Sequence, residues 1–306
     1  MRKILIATEK PFSPEAVKKI GKTFKKAGYD LSILEKYRTK EELIKNLEDK
    51  EAAIIRSDKF DEQILRSAKN LKIVVRAGAG YDNVDLETAT EKNIVVMNTP
   101  GQNSNAVAEL AIGLAIFGIR EMFSGKPGAE LRGRTLGLHG FGFVARNVFR
   151  IARALGMKVI VYTRYSRHAA AAIGLKVTNS LEQLYAKSDI VSIHVPAKGE
   201  HLRSVTYEIL ENLKDDAIVV NTARKEVINE PDLLKIMEEK SQLKYLSDVI
   251  PDSEDIFQEK FEGRYFFTPK KAGAQTAEAN INAGVAAAEQ IVNFFEKGDV
   301  AYQVNK

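Results

Sequence analysis

The sequence predicts an α/β protein built from two doubly wound parallel-sheet domains, with an active site in the cleft between them. Three observations predict it. Short Val/Ile-rich runs alternate with amphipathic stretches almost from end to end, the rhythm of βα units around sheets buried on both faces. The chain has 306 residues, which suits two domains better than one. A glycine-rich turn stands near the middle, directly after one of the apolar runs.

The elements follow in order. "KILIAT" reads as a strand and 13–27 as a helix; "LSILE" is a strand and 40–48 a helix; "AAIIRS" is a strand and 61–69 a helix. "LKIVVRAG" is a strand, and a short helix over 85–92 leads to the strand "NIVVMN". At 98–120 the pattern changes to turn residues, an Asn/Ser helix start and a long helix apolar on most sides, buried either in one subunit or between two. The rhythm restarts at "TLGLHG" and continues through "KVIVYT", "DIVSIHV", "AIVVNTA", "KYLSDVI" and "RYFFTP". A last helix, 276–297, runs into a tail. The domain break is expected near 99–104, with that last helix crossing back. Residues 1–98 plus 277–306 then form a substrate-binding domain and 99–276 a dinucleotide-binding (Rossmann) domain, both of the Rossmann/flavodoxin-like kind.

Composition narrows the chemistry. Hydrophobic residues are 44% and charged residues 28%, an ordinary globular balance. There is no cysteine, which removes disulfides, thiolate metal sites and a cysteine nucleophile. No metal site is expected. No apolar run approaches the ~20 residues that span a bilayer, and a cytoplasmic location without a membrane partner is expected. A net charge of +5 suits an anionic small molecule; no nucleic-acid partner is expected.

"LGLHGFGFVARN" carries Gly140-x-Gly142-x-x-Ala145 between a predicted strand and a predicted helix, the setting in which this spacing signals a dinucleotide. Gly140 permits the tight turn, Gly142 lets backbone approach a pyrophosphate, and Ala145 keeps helix close to strand. The helix N-terminus offers N–H groups to the phosphates. About 20 residues on, an acid usually receives the ribose hydroxyl; here Thr163 stands in its place, followed by Arg164 and Arg167. Guanidinium groups bind a 2′-phosphate and a carboxylate repels one, so the cofactor is expected to be NAD or NADP, leaning to NADP.

These segments, with "VVRAGAGYDNVDLETA", "MNTPGQNSNAVAEL", "NTARKEVINE" and "TPKKAGAQTAEANINAG", resemble the D-isomer-specific 2-hydroxyacid dehydrogenases over almost the whole chain. Within that family the chain is most similar to short, lysine-type 3-phosphoglycerate dehydrogenases. The resemblance implies oxidation of D-3-phosphoglycerate to 3-phosphohydroxypyruvate, the first step of serine synthesis, by a homodimer built around the long helix. "YTRYSR" is also similar to the NADPH-using hydroxypyruvate and glyoxylate reductases of the family. A nucleotide-sensing corepressor on the same fold is the reading from another class. The resemblance extends the cofactor site to Phe143, Val144, Val195, Pro196, Thr222, Ala223 and Asp248.

Oxidising a 2-hydroxy acid needs a base for the hydroxyl proton and a fixed cation for the carboxylate. The resemblance carries the arginine onto Arg224, at the end of the predicted strand in "NTAR". It carries the base onto Lys271, two residues before Gly273. A free lysine is charged at neutral pH, so Lys271 needs burial, Lys270 beside it and Arg224 opposite to lower its pKa. Histidine-type members carry a glutamate near this position; Asp252 and Glu254 are close, but neither is in register. His194 reads as a packed core histidine. A substrate with both carboxylate and phosphate suits Arg56 and Arg76 at neighbouring strand ends, with Ser57 and the loop of Ala77, Gly78, Ala79 and Gly80 as an anion-binding nest.

Overall fold

The computed structural model describes residues 1–305. It divides into two compact units, Met1–Asn103 with the chain from Thr276 onward, and Ser104–Gln275. The sequence reading places the breaks at 98/99 and 276/277.

The first unit opens with β1 (Lys3–Thr8), α1 (Pro14–Ala27), β2 (Asp30–Glu35), α2 (Lys40–Leu47), β3 (Ala52–Ile55), α3 (Glu62–Ser67), β4 (Ile73–Arg76), α4 (Leu86–Glu91) and β5 (Val95–Asn98). All pairings are parallel, in the order β2-β1-β3-β4-β5, the flavodoxin-like arrangement. Every residue of β3 is fully buried, because helices cover both faces and leave no polar side to alternate with. α1 starts where Ser13 accepts the Ala16 N–H at 3.2 Å and stops at Gly28 with φ +73°, a hydroxyl cap and a left-handed glycine cap. The order reverses between β1 and β3, and Arg56 follows β3 directly at that point.

The second unit contains α5 (Ser104–Ile119), β6 (Thr135–His139), α6 (Phe143–Ala154), β7 (Lys158–Tyr162), α7 (Arg167–Ala172), β8 (Lys176–Val177) and α8 (Leu181–Lys187). It continues with β9 (Ile190–Ile193), α9 (Tyr207–Leu210), β10 (Ile218–Asn221), α10 (Glu230–Glu239), β11 (Lys244–Ser247), α11 (Glu254–Lys260) and β12 (Tyr265–Phe267). The sheet is parallel throughout, ordered β12-β11-β10-β9-β6-β7-β8, a doubly wound Rossmann order whose direction reverses between β6 and β9. α5 packs on this sheet: a Cβ on Gly118 would stand 2.5 Å from Leu246 and 3.3 Å from Ile218. The buried side of the apolar helix is thus covered within its own unit.

Several strands end earlier than the apolar runs suggest. β9 stops at Ile193 and β10 at Asn221, so His194 lies just past a strand and Arg224 three residues beyond one, in loops at the carboxyl edge.

α12 (Ala277–Lys297) belongs to the first unit and starts where Thr276 accepts the Ala279 N–H at 3.1 Å. It lies close on α1; a Cβ on Gly284 would be 2.9 Å from Ile20 and 3.0 Å from Phe12. The tail after it pairs with the sheet edge, Gln303 bridging antiparallel to Met97 and the Val304 N–H donating to Val96 O at 2.9 Å. Such pairing covers an edge otherwise open to other strands. Among the described residues no helix is long and apolar enough to cross a membrane.

Candidate active site

In the second unit the loops after β6, β7 and β9 border a cleft of about 210 Å³. Its lining includes Gly140, Gly142, Thr163, Arg164, Val195 and Pro196. Gly140 has φ +99°, and a Cβ there would come within 2.8 Å of His194 O; only glycine fits this turn without displacing backbone. Gly142 is the N-cap of α6, without a side-chain hydrogen bond and with nothing within 4 Å of where its Cβ would be. The first turn of α6 therefore opens on free space, as a phosphate would require. Ala145 is fully buried against the sheet, while Phe143 on the same turn is 61% exposed. Val144 packs at the core edge. These features fit a dinucleotide.

Thr163 is buried, and its hydroxyl oxygen accepts the Ser166 N–H at 3.4 Å. Arg164 is exposed but paired, its guanidinium on the Glu200 carboxylate. Arg167 opens α7 and is exposed. His139 and His194 flank the cleft; burial holds each pKa down to about 3, so both rings are uncharged at neutral pH. His194 Nε2 is buried without a partner.

Lys271 and Arg224 are brought together. Lys271 Nζ donates to Ala223 O at 3.1 Å, and Arg224 Nη1 donates to the same oxygen at 3.0 Å. Asn221 shapes this loop: its Oδ1 accepts the Ala223 N–H and its Nδ2 donates to Arg224 O, both at 3.0 Å. Burial first, then the Arg224 charge, pull the Lys271 pKa down to about 8, against opposing pulls from Asp248 and Glu226. Lys270 is exposed and is not among these causes, so the expected help from the adjacent charge is absent. Thr222 Oγ1 is buried without a partner beside the loop.

Asp248 is fully buried and accepts three bonds: Thr268 Oγ1 at 2.9 Å, Ala272 N at 2.7 Å and Gly273 N at 2.9 Å. Both its oxygens thus hold the turn that carries Lys271, a role the sequence reading did not give it. Asp252 pairs with Lys225 and Glu254 begins α11. Among the described residues no cluster of three His, Asp or Glu could hold a metal.

In the first unit the residues expected at the substrate are arranged differently from each other. Arg56 donates to Lys10 O at 2.9 Å, Pro11 O at 3.1 Å and Asn280 Oδ1 at 2.5 Å, and lies over the Phe12 ring. Its guanidinium is committed to tying the loop between β1 and α1, and α12, to the sheet. Arg76 instead folds over its own loop, with Nε on Arg56 O at 3.0 Å; a Cβ on Gly78 would fall 1.5 Å from its Nη1. The N–H groups of Ala77 and Gly78 are spent on Ile55 O and Arg76 O, which reduces the nest to Ala79 and Gly80. Ser57 is exposed, and the residue after it, Asp58, is buried, accepting Glu9 N at 2.6 Å and Tyr37 Oη at 2.9 Å.

Comparison with known proteins bears on this arrangement. The chain is 34% identical to a D-3-phosphoglycerate dehydrogenase of Archaeoglobus fulgidus, over 99% of this chain and 59% of the relative. It is 33% identical to a hydroxypyruvate reductase of Thermotoga maritima, over 86% of this chain and 90% of the relative. It is similar to the NAD+-bound structure of 3-phosphoglycerate dehydrogenase in Entamoeba histolytica, at 45% identity and a TM-score of 0.85, covering 100% of this chain and 99% of that one. The chain spans little more than half the length of several curated phosphoglycerate dehydrogenases it matches. Residues 4–305 match the family described as D-isomer specific 2-hydroxyacid dehydrogenase, catalytic domain, and the chain belongs to that family.

Proposed function

We propose that the chain is an NAD(P)-dependent dehydrogenase that oxidises D-3-phosphoglycerate to 3-phosphohydroxypyruvate, the entry to serine synthesis. The observation that carries the proposal is the meeting of Lys271 and Arg224 on one carbonyl, with the lysine pKa brought to about 8. The relatives named as phosphoglycerate dehydrogenases support the substrate.

Arg224 holds the substrate carboxylate and the charge growing on the C2 oxygen. Lys271, neutral, takes the C2 hydroxyl proton as the C–H bond gives up its hydride; the ammonium returns the proton in reduction. The nicotinamide dinucleotide, when bound, supplies the hydride acceptor. Gly140, Gly142, Phe143 and Val144 would hold its pyrophosphate on the helix that Ala145 keeps close to the sheet, Thr163 and the segment after it the adenine ribose, and Val195, Pro196 and Thr222 the remainder. Asp248 serves by fixing the Lys271 turn. Arg76 with Ala79 and Gly80 provides the anion subsite in the first unit. The protein is proposed to be cytoplasmic and homodimeric; pairing through the outer face of α5 accords with the exposure of Ile116 on that helix and of Phe123 on the turn that follows it.

The match to a hydroxypyruvate reductase over 90% of its length supports a second reading, reduction of hydroxypyruvate. Nicotinamide absorbance followed with 3-phosphoglycerate and, in reverse, with hydroxypyruvate separates the two. Turnover of hydroxypyruvate without turnover of 3-phosphoglycerate overturns the first; no turnover of either favours a nucleotide-sensing protein.

A further inference from the structure

The end of β7 lacks the acid that usually receives the adenine ribose, yet a carboxylate from another loop pairs with the residues just after it. Glu200 lies on the 3-10 turn Gly199–His201, in the loop after β9. Its Oε2 accepts from Arg164, its Oε1 accepts from the Tyr165 hydroxyl at 3.4 Å, and His201 Nε2 stands 4.0 Å from Oε1. Thr163, Arg164, Tyr165 and His201 all line the 210 Å³ cleft. Two loops that meet at the cleft mouth are therefore joined around one carboxylate.

We infer that Glu200 is the residue that selects between the two nicotinamide dinucleotides, supplying from the neighbouring loop the carboxylate missing at Thr163 and so favouring a 2′-hydroxyl over a 2′-phosphate. The inference rests on the dinucleotide reading above. A ribose hydroxyl can donate to the carboxylate. A 2′-phosphate cannot, and it meets a like charge. To reach Arg164 it must also displace Glu200 from a guanidinium already neutralised. This runs against the lean to NADP drawn from Thr163, Arg164 and Arg167. The pair is exposed and contributes little to folding, so Glu200→Gln keeps the fold while removing the charge.

The test is calorimetric titration with ADP-ribose and 2′-phospho-ADP-ribose, which needs no turnover. Wild-type protein is expected to bind ADP-ribose more tightly. Glu200→Gln is expected to reduce that preference by about ten-fold or more, the scale of one charged hydrogen bond, mainly by tightening the phosphorylated ligand. Adding Arg164→Ala to that variant is expected to remove the affinity gained. The inference is overturned if both ligands bind and their ratio is the same in wild type and Glu200→Gln, or if wild type prefers the phosphorylated ligand. If wild type binds neither, the dinucleotide reading falls and this inference falls with it.

Discussion

Lys271 sets the sharpest test, because its environment predicts a pH as well as a loss. Burial and Arg224 bring its pKa to about 8. At pH 7 about one lysine in ten is then neutral, against about one in 2,500 at an unperturbed 10.4, a gain of roughly 200-fold in competent base. The sign follows from the role. Oxidation needs the neutral amine, so its rate rises with pH and levels off above about 8. Reduction needs the ammonium, so its rate falls through the same range. The assay is kcat in both directions across pH with saturating cofactor. Lys271→Ala and Lys271→Met are each expected to lose roughly 10²–10⁴-fold in kcat, with dinucleotide affinity kept, as for a missing acid–base group. Turnover retained by Lys271→Ala refutes the assignment. A wild-type oxidation profile still rising steeply above pH 10 refutes the account of the pKa, because the lysine would then be solvated.

Asp248→Asn removes a charge that raises the lysine pKa but also disturbs the turn; the oxidation midpoint is expected to fall below that of wild type while kcat drops, and an unmoved midpoint counts against the coupling. Lys270→Ala is expected to leave that midpoint in place, since Lys270 is exposed and plays no part in the shift; a clear displacement shows otherwise. Arg56→Ala leaves Pro11 O and Asn280 Oδ1 without their donor and Lys10 O with the Thr8 hydroxyl alone, so a loss of about 1–3 kcal/mol in stability is expected by denaturant melting, with KM for phosphorylated and unphosphorylated substrates changed alike. A selective KM effect at unchanged stability would instead make Arg56 the phosphate ligand. Gly140→Ala must fit a Cβ 2.8 Å from His194 O at φ +99°, so it is expected to lower Tm well below that of Gly142→Ala, whose Cβ meets nothing; equal Tm values refute the steric argument.

Much of this was legible in the sequence because it is carried by local pattern. Apolar runs of uninterrupted Val and Ile mark strands covered on both faces, and Gly140 with Ala145 marks a turn whose geometry tolerates few alternatives. Lys271 came from the family resemblance rather than from pattern, and the structure sets that lysine beside Arg224. What was not legible depends on partners distant in the chain. Arg56 sits at a strand end as expected, but its destination is Asn280, 224 residues away. Arg164 reads as a phosphate ligand until Glu200, 36 residues on, is seen to hold it. Neither pairing leaves a periodicity or a spacing to read. Asn221 and Asp58 were passed over for a related reason: each is a buried polar residue whose work is to satisfy the backbone of a loop, and that work is visible only when the loop has a shape. Strands such as β9 and β10 were read too long because the run of strand-like residues continues past the last ladder bond, whereas β1 was read to its true ends.

The Lys271 turn resolves a conflict that its composition poses. A carboxylate near a catalytic lysine stabilises the ammonium and works against a neutral base, and Asp248 does pull in that direction. Yet its charge is already met by a hydroxyl and two backbone N–H groups, and donors of that kind draw density away from an anion and fix its position. The residue therefore meets the Thr268 hydroxyl and the Ala272 and Gly273 N–H groups as well as exerting its field at the amine. Gly273 is what allows this closeness, because a Cβ there would lie 2.8 Å from Asp248 Oδ2. The glycine that follows the lysine by two positions admits the carboxylate, the carboxylate holds the turn, and the turn keeps Lys271 buried beside Arg224. Burial and the like charge then outweigh the acid, and the amine stays available as a base near neutral pH.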